Sequence, residues 1–170
     1  MIIDSTEETT RKIRELPQDQ EEHPLTDEHD RLRVVAGVFV CDDRVLACRR
    51  AAGRSAAGHW EFPGGKIDNS ETPEQALRRE LFEELAVAAR IGRLLDRSTT
   101  RVGAHTIDLA CYLIGDHHPA PSTSTDHDQL RWQPVADLLD LDWAKPDLPA
   151  VAVLMAGADH SDGRPDPRRR

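Results

Sequence analysis

The chain has 170 residues, with 31 acidic against 22 basic side chains and a formal net charge of −9. That length supports one domain with a sizeable core, and that charge argues against a nucleic-acid polymer as partner, because phosphate backbones call for a basic surface. No stretch is long and apolar enough to span a membrane, and the acidic amino terminus lacks the basic-then-apolar order of a secretion signal, so a cytoplasmic location is expected.

Residues 1–31 are rich in Glu, Asp, Gln and Thr and offer few apolar side chains to a core, which predicts a solubilising or loosely docked arm. The ordered domain is expected over 32–157. It opens with a valine-rich run from Leu32 to Val40, and Asp42-Asp43 turns the chain into a second run from Val45 to Arg50, so a hairpin is predicted. Gly37 inside the first strand points to a close backbone approach or to a packing need. The segment Ala51 to His59 is small, polar and glycine-containing, hence a mobile loop. Arg49 and Arg50 before it are either solvated strand-end charges or guanidinium clamps for phosphate. Cys41, Cys48 and Cys111 are odd in number and lack metal-ligand spacing, which predicts reduced thiols packed in the core.

The most informative stretch runs from Trp60 to Val87. Gly64-Gly65 forms a turn that lets backbone approach a ligand closely. Thr72 then caps a helix, Pro73 suits its first turn and Gln75 completes a Thr-x-x-Gln capping box. Leu77, Leu81 and Leu85 give that helix an apolar stripe. Beside the stripe, Glu80, Glu83 and Glu84 fall within an arc of about 100°. Taken alone, the acidic run fits a solvated helix face with charges paired at i to i+4. The alternative is a site for a hard cation, and oxygen ligands of this kind suit magnesium or manganese.

The spacing Gly65-x5-Glu71-x7-Arg79-Glu80-Leu81-x-Glu83-Glu84-x-x-Val87 resembles the box of the Nudix hydrolases, with Ala86 standing where that family usually has glycine. The resemblance covers roughly Leu32 to Met155. It implies an α/β fold, the Nudix α/β/α sandwich with a mixed β-sheet. It also implies Mg2+, or Mn2+ as a substitute, held by the Gly64 carbonyl with Glu80, Glu83 and Glu84, while Arg79 orients Glu71 or a ligand. Arg49-Arg50-Ala51-Ala52 ahead of Glu61-Phe62-Pro63-Gly64-Gly65-Lys66 is similar to the MutT-type subgroup. There the second arginine, here Arg50, contacts substrate phosphate, and Glu61, Phe62, Pro63 and Gly64 line the nucleotide site.

Beyond the helix, Val87 to Leu95 and Thr106 to Ile114 read as strands, with Gly103 turning between them and Gly115 ending the pair. His105 and Asp108 are assigned no role. Asp116 to Thr125 has loop composition, and its His117 and His118 are expected to be solvent-exposed. The MutT-type pattern Glu-His-x-x-x-x-Trp finds its counterpart in Asp126-His127 through Trp132. The resemblance therefore makes Asp126 a shorter substitute for an acidic residue that helps bind metal or activate water. Pro134 to Leu139 suggests a short helix and Pro149 to Met155 a final one. Between them, Trp143 to Pro149 resembles the segment that ends in a base-reading residue before proline, a place taken by Asp147. An ionised Asp147 would accept from the amine of cytosine or adenine, a protonated one would donate to the O6 of guanine or 8-oxoguanine, and a purely structural Asp147 would cap the final helix. Residues 158–170 read as a polar, flexible tail.

The resemblance implies hydrolysis of a nucleoside triphosphate, a cytosine-type or oxidised nucleotide, to monophosphate and pyrophosphate, with a small-molecule nucleotide as the partner. The alternatives are a Nudix hydrolase of another diphosphate-linked nucleotide and a non-catalytic module that senses a nucleotide. Monomer and homodimer are left open.

Overall fold

The computed structural model describes residues 31–159. The arm and tail expected from the sequence lie outside the described residues, except that Arg31 begins a strand and the last two residues described belong to a helix.

The first strand, β1 (Arg31–Cys41), is central, because three other strands, the second, fourth and sixth in chain order, pair with it. It turns at Asp42, whose φ of 54 suits the αL tolerance of aspartate, into β2 (Arg44–Arg50). Two short strands follow, β3 (Trp60–Glu61) on β2 and β4 (Gly64–Lys66) on β1. Helix α1 (Pro73–Leu85) comes next, then the long hairpin β5 (Ala88–Val102) and β6 (His105–His118), with Gly103 at φ 62 in its turn. β6 runs parallel to β1 while the other pairings are antiparallel, so the sheet is mixed. The chain closes with β7 (His127–Pro134) on β2, two 3-10 turns at Val135–Asp140 and Lys145–Asp147, and helix α2 (Leu148–Asp159).

Side-chain alternation along β1 divides the core between two helices. Ala36 and Val38 pack with Leu109, Cys111, Ala150 and Val151, on the α2 side. Val35 and Phe39 pack with Leu77, Leu81, Leu85 and Ala110, on the α1 side. Helices thus cover both faces of the sheet, the α/β/α arrangement. Gly37 belongs to the α1 face, and a Cβ there would press to 3.1 Å of Ile114 and 3.3 Å of Leu81. Its missing side chain is what lets α1 sit close.

Several sequence expectations need correction. β5 and β6 extend to Val102 and His118, well past Leu95 and Ile114. His117 is accordingly half-buried, with its ring edge-on to Phe39 at 5.0 Å and Nδ1 3.0 Å from the Gly115 carbonyl, although His118 is exposed. Of the thiols, Cys48 and Cys111 are buried, and burial pushes both upward so that they stay protonated; Cys41 is exposed. Asp108 is also buried, where Arg97 binds both of its oxygens and Arg31 adds a third cationic contact at 2.9 Å. The strand β7 has no counterpart in the sequence reading at all.

Candidate functional site

Helix α1 is set by its first turn. Thr72 accepts from the Gln75 N–H and the Gln75 side chain accepts from the Thr72 N–H, so the capping box is closed in both directions. Such a cap is worth about 1 kcal/mol and fixes where the helix begins. Leu77, Leu81 and Leu85 are buried beneath it, and Glu84 is buried along with them. At the other end Ala86 has φ 55 and ψ 32, left-handed backbone, and its N–H returns to the Phe82 carbonyl at 2.9 Å.

Strand β4 lies beside the acidic face. The Gly64 N–H donates to Glu84 Oε2 at 3.2 Å. A Cβ on Gly64 would run into the Val35 carbonyl of β1, and one on Gly65 would run into the Glu80 carboxyl. Gly64 is therefore demanded by close approach to backbone, whereas a side chain on Gly65 would displace the Glu80 carboxyl.

Arg79 organises the outer carboxylates. Its Nε and Nη2 each meet an oxygen of Glu71 at 2.8 Å, its Nη1 reaches Glu80 at 2.8 Å and Glu83 at 3.3 Å, and Nη2 also donates to the Lys66 carbonyl. These contacts raise the guanidinium further above its ordinary range and hold the Glu71 carboxyl below its own. Glu84 has no such cation. Burial, then the charges of Asp126, Glu80 and Glu61, push it up to about 8 against the pull of the Gly64 N–H.

A second group of residues is gathered by long-range pairing. Arg50, at the end of β2, gives Nη1 to Glu61 at 3.1 Å, Nε to the Ser55 carbonyl at 3.1 Å and Nη2 to Ser55 Oγ at 3.1 Å. Glu61 also meets Nε2 of the buried His127 at 2.9 Å, whose Nδ1 faces Ser124 Oγ at 2.9 Å. Asp126 is held by Arg54 Nη2 at 2.8 Å. Its loop is tied to α1 through the Thr125 N–H and the Glu84 carbonyl, and to the β2–β3 loop through the Ala51 N–H and the Asp126 carbonyl.

A cavity of about 750 Å³ opens on the α2 side, with Glu61, Phe62, Gly65 and Asp147 among its walls. Phe62 stacks at a tilt on Trp143 with ring centroids 4.8 Å apart, and Pro63 behind it accepts from the Gly37 N–H. Asp147 is 5% exposed, and its Oδ1 accepts from the Phe62 N–H at 2.9 Å. That carboxyl therefore bonds across the cavity floor and not to the helix it precedes. Burial pushes it up to about 8, against the Phe62 hydrogen bond. The α1 glutamates do not line this cavity; Gly65 and Glu61 stand between it and them.

The structure thus brings the sequence-derived residues into two adjoining groups. Glu71, Arg79, Glu80, Glu83, Glu84, Gly64 and Asp126 surround the acidic helix, and Arg50, Glu61, Phe62 and Asp147 belong to the cavity side. Arg54, Ser124, His127 and Trp143 were not singled out. The signal for His127 was its place beside Asp126; Arg54 sits in a stretch whose small residues hid it.

Among the described residues no three acidic, histidine or cysteine groups converge closely enough to make a finished metal cage. The donor set nevertheless fits a hard divalent ion. It consists of oxygens, and the neighbouring carboxylates that add to burial in raising Glu84 repel one another in a way such an ion relieves. No helix among the described residues is long and apolar enough to cross a membrane.

Comparison with known proteins agrees with this arrangement. The NUDIX domain model matches residues 31–154. A CTP pyrophosphohydrolase of Escherichia coli K12 is 33% identical over 125 residues, covering 74% of this chain and 92% of its own length. A putative 8-oxo-dGTP diphosphatase 2 of Mycobacterium tuberculosis is 37% identical over 129 residues, covering 71% and 86%. Among solved structures, a MutT NUDIX hydrolase from Burkholderia pseudomallei has a TM-score of 0.65 and 28% identity, covering 72% of this chain and 96% of that one. With the family model spanning the whole sheet, helix α1 and the first half of α2, the chain belongs to the Nudix family.

Proposed function

We propose that this protein hydrolyses a nucleoside triphosphate to the monophosphate and pyrophosphate, with water attacking the β-phosphorus. The observation that carries this reading is the adjacency of two environments. An oxygen-rich acidic patch on α1 meets the mouth of a cavity whose floor is aromatic and apolar but for one buried carboxyl. The first suits a polyphosphate bridged by a divalent ion, and the second suits a base. The names of the two relatives, one for CTP and one for 8-oxo-dGTP, support the substrate class.

Glu80, Glu83, Glu84 and the Gly64 carbonyl would hold magnesium, or manganese in its place. When bound, that ion neutralises phosphate charge and makes water a better nucleophile. The chain's own groups do the rest. Arg79 holds Glu71 and Glu80 in fixed orientation through paired hydrogen bonds. Asp126, the short substitute in its loop, contributes a further carboxylate close enough to Glu84 to disturb it. Arg50 fixes the loop that borders the cavity and keeps Glu61 in place. Phe62 and Trp143 offer aromatic surface on which a base can rest.

Asp147 is the base reader in this proposal. With Oδ1 occupied by the Phe62 N–H, Oδ2 is left for the ligand. A carboxyl titrating at about 8 is mostly protonated at pH 7, and in that state it donates. Guanine-type bases with an O6 acceptor are therefore favoured at neutral pH, while cytosine-type bases with an amine are favoured as Asp147 ionises.

Measuring pyrophosphate release in magnesium from CTP, dCTP, dGTP and 8-oxo-dGTP tests the reaction. Water labelled with 18O tests the point of attack, since attack at the β-phosphorus puts the label in pyrophosphate and attack at the α-phosphorus puts it in the monophosphate. Nucleotide binding without turnover would replace an enzyme by a sensor, and release only from nucleotide sugars or dinucleotides would move the substrate class.

A further inference from the structure

Lys66 and Lys145 line the cavity, and the two arginines nearest the carboxylates of the site are already engaged. Arg79 is spent on Glu71, Glu80 and Glu83. Arg50, the residue whose position suggests a phosphate clamp, has Nε, Nη1 and Nη2 engaged by Ser55 and Glu61. Moving it onto a phosphate would break three hydrogen bonds and unfasten the loop.

Arg54 is different. It sits at the tip of the β2–β3 loop, next to Gly53 at φ 85, where a Cβ would meet nothing within 4 Å. The neck of the loop is closed by Arg50 N–H to His59 carbonyl and Gly58 N–H to Arg50 carbonyl, both 2.9 Å. The Arg54 side chain can therefore swing without undoing β2, β3 or the Arg50 contacts with Ser55. Arg54 is half exposed, and its side chain meets Asp126 Oδ1, a carboxylate near enough to Glu84 to raise it. An exposed single ion pair of this type is weak and easily exchanged.

We propose that Arg54 is a substrate-binding residue, held on Asp126 in the free protein and transferred to the β- and γ-phosphates of the bound nucleotide. This rests on the polyphosphate reading given above and adds a residue to it. Any ligand that brings phosphate next to Asp126 places anionic oxygens within reach of the same guanidinium. Phosphate offers Arg54 a bidentate partner of higher charge than the single Asp126 oxygen it now touches. The exchange also frees Asp126, so phosphate arrival and carboxylate release are one event. Arg50 keeps the loop in shape while this happens.

The test is equilibrium binding of the α,β-methylene analogues of dCTP and dGTP in magnesium, by calorimetry on the full chain at about 0.15 M salt. Arg54→Ala should weaken the analogue that wild type binds by about tenfold or more, and the corresponding monophosphate by much less. Arg54→Lys should recover part of the loss. The control for a mere loop tie is Asp126→Asn, which breaks the ion pair and leaves Arg54 free. In that background Arg54→Ala should again cost about tenfold if Arg54 meets phosphate, whereas a tie predicts that the double variant matches Asp126→Asn. Unchanged binding on Arg54→Ala, or equal losses for triphosphate analogue and monophosphate, would overturn the assignment and leave the proposed reaction standing. Wild type that binds neither analogue would overturn both.

Discussion

Asp147 gives the most demanding test of the site, because its surroundings set both a direction and a slope. The carboxyl is buried and titrates at about 8. The ratio of protonated to ionised side chain is then about a hundred to one at pH 6 and about one to ten at pH 9. Suppose the protonated form is needed to donate to O6 of 8-oxoguanine, and the ionised form to accept from the amine of cytosine. The ratio of kcat/KM for 8-oxo-dGTP over dCTP then follows the protonation ratio and falls as pH rises. The ceiling is about tenfold per pH unit. If the wrong state merely loses its hydrogen bond, each arm is limited to about tenfold to a hundredfold in all. The assay is kcat/KM for both nucleotides, by pyrophosphate release, at half-unit steps from pH 6 to 9; this quantity reports the free enzyme's groups. Asp147→Asn keeps an oxygen for the Phe62 N–H and removes the titration, so the ratio should become flat. A flat ratio in wild type, or a slope that survives in Asp147→Asn, would refute base reading by this carboxyl.

The same residue predicts a stability profile. Its folded pKa is raised from the ordinary 3.8, so its contribution is fully present below about pH 4 and is lost as pH rises through about 8, at up to about 1.4 kcal/mol per unit; thermal melts of Asp147→Asn should therefore gain on wild type steadily across that window. Glu84→Gln preserves an acceptor for the Gly64 N–H but removes an anionic oxygen, so turnover should fall by orders of magnitude at saturating magnesium with the melting temperature retained. Ala86 occupies left-handed backbone, and Ala86→Gly should stabilise the fold by about 1 kcal/mol, read as a melting point a few degrees higher. Gly65→Ala meets only the end of the Glu80 side chain and should fold normally with impaired turnover, while Gly64→Ala meets the β1 backbone and should unfold at much lower temperature.

What could be read from the sequence was local. Helix α1 announces itself through Thr72, Pro73 and Gln75 and through leucines four apart, all within one short window, and the structure starts it at the same residues. β1 and β2 are legible because their valines and alanines are buried on both faces. β7 is not, since Asp128, Gln129 and Arg131 interrupt it and only its pairing with β2, some eighty residues earlier, makes it a strand. The outer half of β5 is polar for a related reason: it is an edge strand with one face toward solvent. The site divides in the same way. The glutamates and glycines stand in a spaced motif, whereas the contacts of Arg54 with Asp126 and of Phe62 with Asp147 join residues 72 and 85 positions apart. No periodicity links such pairs. Asp147 was legible as a base reader or a cap, and only its hydrogen bond to another element separates the two.

The position of β1 bears on how such a chain can diversify. It is paired to β4 through Ala36 and Gly64 and to β6 through Val34 and Leu109, and its two faces feed two different helices. A slip or insertion of a single residue would invert both faces together. It would also carry Gly37 away from Leu81 and give Gly64 a new partner. No one compensating substitution repairs all of these, so this strand is expected to keep its length across long stretches of descent. The hairpin turn at Gly103 carries no such cross-references. Residues added there would reshape the rim of the cavity while leaving the glutamates where they are, which gives the lineage a route to new bases that does not pass through an inactive ancestor.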